Sequence, residues 1–181
     1  MFIRLATKED LPGIMDIIKK SVELMEANDN DQWTGYYPQE EHFLEDIDNQ
    51  VLYVAELDRK IVGSVSVDQS EPEEYASVNW RKSGEAYLFH RLAVDPETRG
   101  KGVASQLITF AEKTAAENDV FYMKVDTYSL NNKAQTLFEK LGYEKRGTIY
   151  LYGKEQPFYC YDKILSIHAE EGVQPEQTTR Y

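Results

Sequence analysis

A strand end, a glycine-rich loop and a helix start follow one another in the stretch Val94-Asp95-Pro96-Glu97-Thr98-Arg99-Gly100-Lys101-Gly102-Val103-Ala104-Ser105. An apolar strand candidate, residues 86–94, ends before the proline, and apolar residues at helical spacing begin at Val103. The first amides of a helix lack intrahelical acceptors and lie at the positive end of its dipole, while glycines allow close backbone approach. Arg99 and Lys101 add positive charge, so the stretch predicts an anion-binding loop.

Three phosphate-binding patterns can be compared with this loop. A P-loop requires Gly-x-x-x-x-Gly-Lys-Ser/Thr, which the sequence lacks. A dinucleotide-binding fold requires Gly-x-Gly-x-x-Gly after an early strand, but here Ser105 takes the third glycine position and the strand lies mid-chain. A third pattern, Arg/Gln-x-x-Gly-x-Gly/Ala, is matched by Arg99, Gly102 and Ala104. Six residues alone have low specificity, so an ordinary glycine-rich turn stays an alternative.

The length and composition predict one domain in a reducing compartment. The chain has 181 residues, 41% hydrophobic and 29% charged, which excludes wholesale disorder, a collagen helix and a coiled-coil rod. Cys160 is the single cysteine, so no internal disulfide and no cysteine-based zinc site are expected. No apolar run approaches the ~18 residues of a membrane span, and the N-terminal residues do not form a signal peptide. We therefore expect a cytoplasmic protein without a metal site.

The charge is strongly negative and unevenly distributed. The net charge is −12, with 32 acidic and 20 basic residues, which disfavours nucleic acid and anionic lipid and favours cationic small molecules. Residues 21–58 contain eleven Asp or Glu and no Lys or Arg. This segment is either a solvated acidic surface or a funnel for an amine substrate.

Hydrophobic periodicity predicts the element order β-α-α-β-β-β-α-β-α-β-β within a single domain, residues 1–165. The strands are expected near residues 3–6, 51–55, 61–67, 86–94, 120–127, 143–151 and 157–164. The helices are expected near residues 11–25, 39–48, 103–115 and 132–141. Residues 68–84 are polar and predict a long loop, and residues 166–181 predict a loosely ordered polar tail.

Two stretches carry a family resemblance. Leu92-Ala93-Val94-x-Pro96-x-x-Arg99-Gly100-Lys101-Gly102-Val103-Ala104 resembles motif A of the Gcn5-related N-acetyltransferases. Asn131-x-x-Ala134-x-x-Leu137-Phe138-Glu139-Lys140-x-Gly142-Tyr143 resembles their motif B, and Ile3-Arg4-x-Ala6-x-x-x-Asp10-Leu11 is similar to their usual opening. The resemblance implies an α/β (α+β) fold with a mixed, mostly antiparallel sheet, a splayed fourth and fifth strand, and about four flanking helices.

The resemblance also implies acetyl-CoA as cofactor. The backbone of Leu92, Ala93 and Val94 would pair with its pantetheine, and the Leu92 N–H would polarise the thioester carbonyl. Asn131 would hydrogen-bond the cofactor, although it is equally suited to cap a helix, and Phe138 would contact the cofactor. The pyrophosphate would lie on the backbone amides of Arg99, Gly100, Lys101, Gly102, Val103, Ala104 and Ser105.

The implied reaction is attack of an amine on a thioester. A free alkylamine has a pKa of ~10.4, so a base is needed to supply the neutral amine. His90 is the leading candidate, because arylalkylamine acetyltransferases carry a histidine at the similar position, and Glu85 is a weaker one. The family commonly places a tyrosine as general acid in motif B, where this chain has Phe138. Tyr128 or Tyr143 could substitute, although a structural role is favoured for each.

Acceptor recognition is expected in the first two helices and their loops. Trp33, Tyr36 and Tyr37 lie there within the acid-rich segment, and carboxylates with aromatic rings suit an ammonium. The leading hypothesis is an acetyltransferase for a small primary amine. Its alternatives are a protein N-terminal or lysine acetyltransferase, a non-catalytic acyl-CoA-binding module, and another anion-binding α/β domain. Homodimers are common in the resembled family and are an open expectation here.

Overall fold

The fold is a seven-stranded mixed sheet with four α-helices, described by a computed structural model over residues 1–166. The strands are β1 (Phe2–Leu5), β2 (Leu52–Leu57), β3 (Lys60–Asp68), β4 (Tyr87–Val94), β5 (Tyr122–Tyr128), β6 (Glu144–Ile149) and β7 (Phe158–Ile164). The helices are α1 (Leu11–Glu26), α2 (Glu40–Asp48), α3 (Val103–Glu117) and α4 (Asn132–Lys140). The sheet order is β1-β2-β3-β4-β5-β7-β6, with only β4 and β5 parallel among these strands. The predicted fold class is confirmed.

The predicted strands and helices are all present in the predicted order. The β2–β3 turn has positive φ at both Asp58 (50°) and Arg59 (64°), as a tight two-residue hairpin requires. The polar segment 68–84 is not wholly irregular, because it contains a short 3₁₀ helix, Glu73–Ser77, that buries Tyr75. The expected loosely ordered tail lies outside the described residues from residue 167 onward.

Apolar side chains cover both faces of the sheet. One core packs α3 and α4 on the sheet, and a second packs α1 and α2 on it. A third, smaller cluster lies under the 68–84 segment and contains Tyr75, Tyr128, Phe158 and Cys160. Cys160 is fully buried, and this burial raises the pKa of its thiol to about 12. The thiol is therefore held protonated and out of reach of solvent reagents.

A β-bulge in β4 opens the centre of the sheet. Ser66 pairs with His90 and Ser64 pairs with Ala93, so two residues of β4, Arg91 and Leu92, lie opposite one residue of β3. On the other side, β4 pairs with β5 only at two of its first residues, at Tyr87↔Met123 and Leu88↔Lys124. Beyond these residues β4 and β5 diverge, which confirms the predicted splay and leaves a gap in the sheet.

Gly63 on β3 allows α3 to pack close to this gap. A Cβ atom at Gly63 would lie 3.0 Å from the Ala93 carbonyl oxygen, 3.0 Å from Leu107 Cδ1 and 3.1 Å from Val103 Cγ1. There is no room for a methyl group between β3, β4 and the first turns of α3. The absence of a side chain at this position thus helps to fix where the N-terminus of α3 lies.

We predict that Gly63→Ala lowers the free energy of unfolding by about 1–3 kcal/mol, because the added methyl group overpacks this contact. Urea denaturation followed by circular dichroism measures the change. Gly35→Ala is the matched control, since a Cβ atom at Gly35 meets nothing within 4 Å. Equal unfolding midpoints for the two variants would contradict the packing argument.

Candidate active site

A long cleft of 950 Å³ follows the diverging strand β4 and continues between the N-terminal ends of α3 and α4. It brings together ten of the twelve predicted cofactor residues. They are Leu92, Ala93, Val94, Arg99, Gly100, Gly102, Val103, Ala104, Ser105 and Asn131. Lys101 is exposed beside the cleft without lining it, and Phe138 lines the cavity that adjoins the cleft.

The loop before α3 offers backbone amides to an anion. Gly102 precedes the helix with a left-handed backbone (φ 71°), and the Gln106 N–H is bonded to the Gly102 carbonyl oxygen at 3.0 Å. The first helical amides therefore have no intrahelical acceptor and point out of the helix end. A Cβ atom at Gly100 would meet nothing within 4 Å, and one at Gly102 only the Gln106 Nε2 at 3.8 Å. A side chain at either position would extend into open space at the cleft, where a diphosphate fits.

Two cations flank this loop without acidic partners. Arg99 precedes α3 and Lys133 is in the first turn of α4, and both line the cleft. Burial and the positive charge of Arg99 lower the pKa of Lys133. Neither side chain takes part in an ion pair within residues 1–166, where most other basic groups near the sheet do. Two neighbouring cations without a carboxylate fit a bound polyanion.

Lys133 was not singled out from the sequence, although its place beside the motif B asparagine could have identified it. That asparagine, Asn131, caps α4: its Oδ1 accepts from the Ala134 N–H at 3.1 Å. Its Nδ2 donates to Gln32 Oε1 at 2.8 Å. The helix-cap interpretation is confirmed, and Asn131 also lines the cleft.

A second cavity of 390 Å³ continues from the cleft on the other side of Leu92. The cleft and this cavity share Met25, Trp33, Leu92, Asn131 and Ala134, so they form one continuous space. We call the second space the acceptor cavity. The groups in it that carry chemistry are Glu71, Tyr75, His90, Asp126, Tyr37 and Tyr152.

His90 is held by a carboxylate. Its Nε2 lies 2.7 Å from Asp68 Oδ2 at the end of β3. Burial raises the pKa of Asp68, but the hydrogen bond from His90 and the charge of the imidazolium outweigh it, so the pKa lies below its usual value. Because an ionised carboxylate only accepts hydrogen bonds, Nε2 carries a proton in either charge state of the ring, and in the neutral imidazole Nδ1 has the free lone pair. The other predicted base, Glu85, is exposed and lines neither space.

The phenols that could act as an acid are not those predicted. Tyr143 donates to Glu112 at 3.0 Å, and Tyr128 packs on Phe158 in the small core. Neither lines the cleft or the acceptor cavity, and both side chains make the structural contacts that the sequence favoured for them. Phe138 is buried at the edge of the cavity against Phe89. The phenols that do face the cavity are those of Tyr37, Tyr75 and Tyr152.

Two loops meet over the acceptor cavity. The ring of Tyr37, between α1 and α2, stacks on Tyr152, between β6 and β7, with centroids 5.5 Å apart. The same two loops are joined by a hydrogen bond from Lys154 Nζ to the Asp31 backbone oxygen. Trp33 lies buried beneath them, as predicted for an aromatic lining. Tyr36 differs from the prediction, because it is 91% exposed and lines neither space.

The acidic segment 21–58 does not supply the carboxylates of the cavity. None of its eleven acids lines either space, and one of them, Asp46, is buried in an ion pair with Arg91 at 2.6 Å. The carboxylates that do line the acceptor cavity are Glu71 and Asp126, from the 68–84 segment and β5. Neither carboxylate was predicted from the sequence, although the alternation of Lys124 and Asp126 with apolar neighbours on β5 is a signal that could have marked Asp126.

The chain matches a known family over its central part. A family model for the acetyltransferase (GNAT) domain matches residues 48–145, and the chain therefore belongs to the GNAT acetyltransferase family. Human N-acetyltransferase 8B is 27% identical over 117 residues, which is 65% of this chain and 45% of that protein. The uncharacterized N-acetyltransferase YhfO of Bacillus subtilis (strain 168) is 27% identical over 95 residues, 52% of this chain and 59% of that protein. The chain thus matches about half the length of these relatives.

Solved structures share the fold over nearly the whole described chain. A GNAT family acetyltransferase from Streptococcus agalactiae 2603 superposes with a TM-score of 0.80 at 24% identity, covering 91% of this chain and 95% of that one. A candidate acetyltransferase from Staphylococcus aureus Mu50 is 33% identical with a TM-score of 0.72, covering 92% of this chain and 100% of that one. The family predicted from the two motifs is confirmed.

No helix within residues 1–166 is long and apolar enough to cross a membrane. The same part of the chain holds no group of three or more His, Cys, Asp or Glu side chains placed to bind a metal ion.

We predict that Gly102→Glu raises the Kd for acetyl-CoA at least a hundredfold, since a carboxylate would lie where the diphosphate fits. Titration calorimetry measures the affinity. The left-handed backbone costs a β-carbon about 1–2 kcal/mol of stability, so Gly84→Glu, at φ 97° and in open space outside both cavities, is the matched control. If a folded Gly102→Glu protein bound acetyl-CoA with unchanged affinity, the loop would not be part of the cofactor site.

Proposed function

We propose that this protein is an acetyl-CoA-dependent N-acetyltransferase whose acceptor is a small primary amine. The observation that carries the proposal is the continuous space through the sheet. One end has free helix amides with Arg99 and Lys133, and the other is an aromatic cavity that contains His90. Family membership supports the same reaction class.

The cleft fits coenzyme A by shape and charge. The cationic loop end suits the diphosphate, and the diverging part of β4, which no longer pairs with β5, leaves backbone groups to face an extended pantetheine arm. Bound acetyl-CoA supplies an acetyl thioester, in which the C–S bond breaks as the amine nitrogen forms the new C–N bond. Leu92 lies where the cleft meets the acceptor cavity, and we assign its N–H as the donor to the thioester oxygen.

His90 would take the proton of the acceptor ammonium. Its Nε2 donates to Asp68, so Nδ1 is the atom that accepts the proton. The lowered pKa of Asp68 keeps this carboxylate charged at neutral pH, which stabilises the imidazolium that forms. The thiolate of coenzyme A leaves readily, because thiols have a pKa of about 8.5, so Phe138 in place of a tyrosine is compatible with turnover.

The contact between two loops favours a small acceptor over a polypeptide. Tyr37 stacks on Tyr152, and Lys154 holds the loop of Asp31, so the two loops together narrow the access to the acceptor cavity. Its volume of 390 Å³ suits a small molecule. The aromatic walls suit a cation with an apolar body.

We expect turnover with acetyl-CoA on a panel of small primary amines, and at most a tenth of that kcat/KM on peptides with free N-termini or lysines. Coenzyme A release measures the rate. Faster acetylation of the peptides would favour a protein acetyltransferase. Tight acetyl-CoA binding without turnover on any amine would favour a non-catalytic acyl-CoA-binding module.

We also predict that His90→Ala lowers kcat at least tenfold and flattens the acidic limb of the pH profile. Protonation of the imidazole at low pH removes the base in the native protein, whereas the variant has no such group to titrate. His42→Ala is the control: His42 lines neither space, so this variant should keep the acidic limb. If the acidic limb of the pH profile were unchanged in His90→Ala, a group other than His90 would be the base.

A further inference from the structure

Four carboxylates surround the gap between β4 and β5, and three of them have basic partners. Asp46 pairs with Arg91 at 2.6 Å, and Asp68 lies 2.7 Å from His90. Glu71, which lines the acceptor cavity, pairs with the buried amine of Lys124 at 2.6 Å. The negative charge of these three groups is therefore compensated within the protein.

Asp126 is the exception. Its Oδ2 accepts a hydrogen bond from the Tyr75 hydroxyl at 2.6 Å, and tyrosine is neutral. None of the ion pairs within residues 1–166 includes Asp126. Burial raises the pKa of Asp126, although the Tyr75 hydrogen bond and the charge of a protonated His90 act in the opposite direction. Burial also raises the pKa of the Tyr75 hydroxyl well above its usual value, so this hydroxyl keeps its proton and donates the hydrogen bond to Asp126.

The fold places this carboxylate opposite His90. Leu88 on β4 pairs with Lys124 on β5, so the residues two positions further along each strand, His90 and Asp126, lie on the same face of the sheet across the gap. Both line the acceptor cavity. A cationic group between them would contact Asp126 and the free Nδ1 of His90 while leaving the other protein ion pairs intact.

We propose that Asp126 binds the ammonium group of the acceptor and that Tyr75 positions the carboxylate for this role. The proposal deepens the proposed function, on which it rests, and makes a protonated primary amine with an apolar or aromatic body the preferred ligand. The ammonium supplies the positive charge that the cavity lacks. It would then transfer one proton to His90 Nδ1, and its nitrogen would keep the electron pair that forms the bond to the acetyl carbon. The C–S bond of the thioester would break, and the leaving thiolate would take up the second proton that the nitrogen loses.

Direct binding measurements test the proposed role of Asp126 without requiring turnover. The protein, loaded with coenzyme A, is titrated calorimetrically with phenethylammonium and hexylammonium, and with 2-phenylethanol and hexanol as neutral partners. We expect at least one ammonium to bind tenfold or more tightly than its alcohol. Asp126→Asn should reduce this ratio to below threefold, since the amide oxygen can still accept from Tyr75 but the charge is gone.

Asp119→Asn is the matched control, because Asp119 is exposed at the α3–β5 turn and lines neither space. It should leave the ratio unchanged. The proposal would be overturned if the native protein bound no ammonium more tightly than its alcohol. It would also be overturned if a folded Asp126→Asn variant kept the native ratio of affinities. Ammonium selectivity that depends on Asp126 in a protein that acetylates no amine would support this inference and overturn the proposed function instead.

Discussion

The buried ion pair between Arg91 and Asp46 is the contact on which the site depends. Arg91 is the extra residue of the β4 bulge, and it has a left-handed backbone (φ 47°), which is unfavourable for any residue with a side chain. Its guanidinium group lies between the two carboxylate oxygens of Asp46 and the Tyr37 hydroxyl, and the Ser66 hydroxyl on β3 donates to the same carboxylate. Loss of either charge would leave the other buried and unpaired. The pair therefore fixes the bulge, and the bulge separates β4 from β5.

This geometry gives the two ends of the space opposite electrostatic character. At the cleft end, near the free amides of α3, Arg99 and Lys133 form no ion pair with the residues that the structure describes. At the cavity end, Asp126 has no basic partner among those same residues. Most other charges around the sheet are compensated by neighbours, as with Lys124 and Glu71. The uncompensated charges thus mark where an anionic and a cationic ligand fit, on either side of Leu92.

The sequence predicted most of the fold and the cleft, because these depend on local patterns. Apolar periodicity located the strands and helices, and Gly100 and Gly102 marked a loop whose function depends on its own backbone. The residues of the acceptor cavity were harder to predict from the sequence, because the cavity is assembled from segments far apart in the chain. Tyr75 could not be placed from the polar segment 68–84, and only the folded chain brings its hydroxyl to Asp126, 51 residues later. Tyr36 and Tyr37 are adjacent and chemically alike, so no sequence pattern shows which of the two faces inward.

The buried position of Cys160 has a practical consequence for enzymology. It is the single cysteine of the chain, and the surrounding core keeps its thiol protonated and inaccessible. Disulfide reagents that change colour on reaction with free thiols will therefore register coenzyme released by the reaction, with little background from the native polypeptide. The same property allows a cysteine introduced at a chosen surface position to carry a fluorophore or spin label as the sole reactive point on the folded molecule.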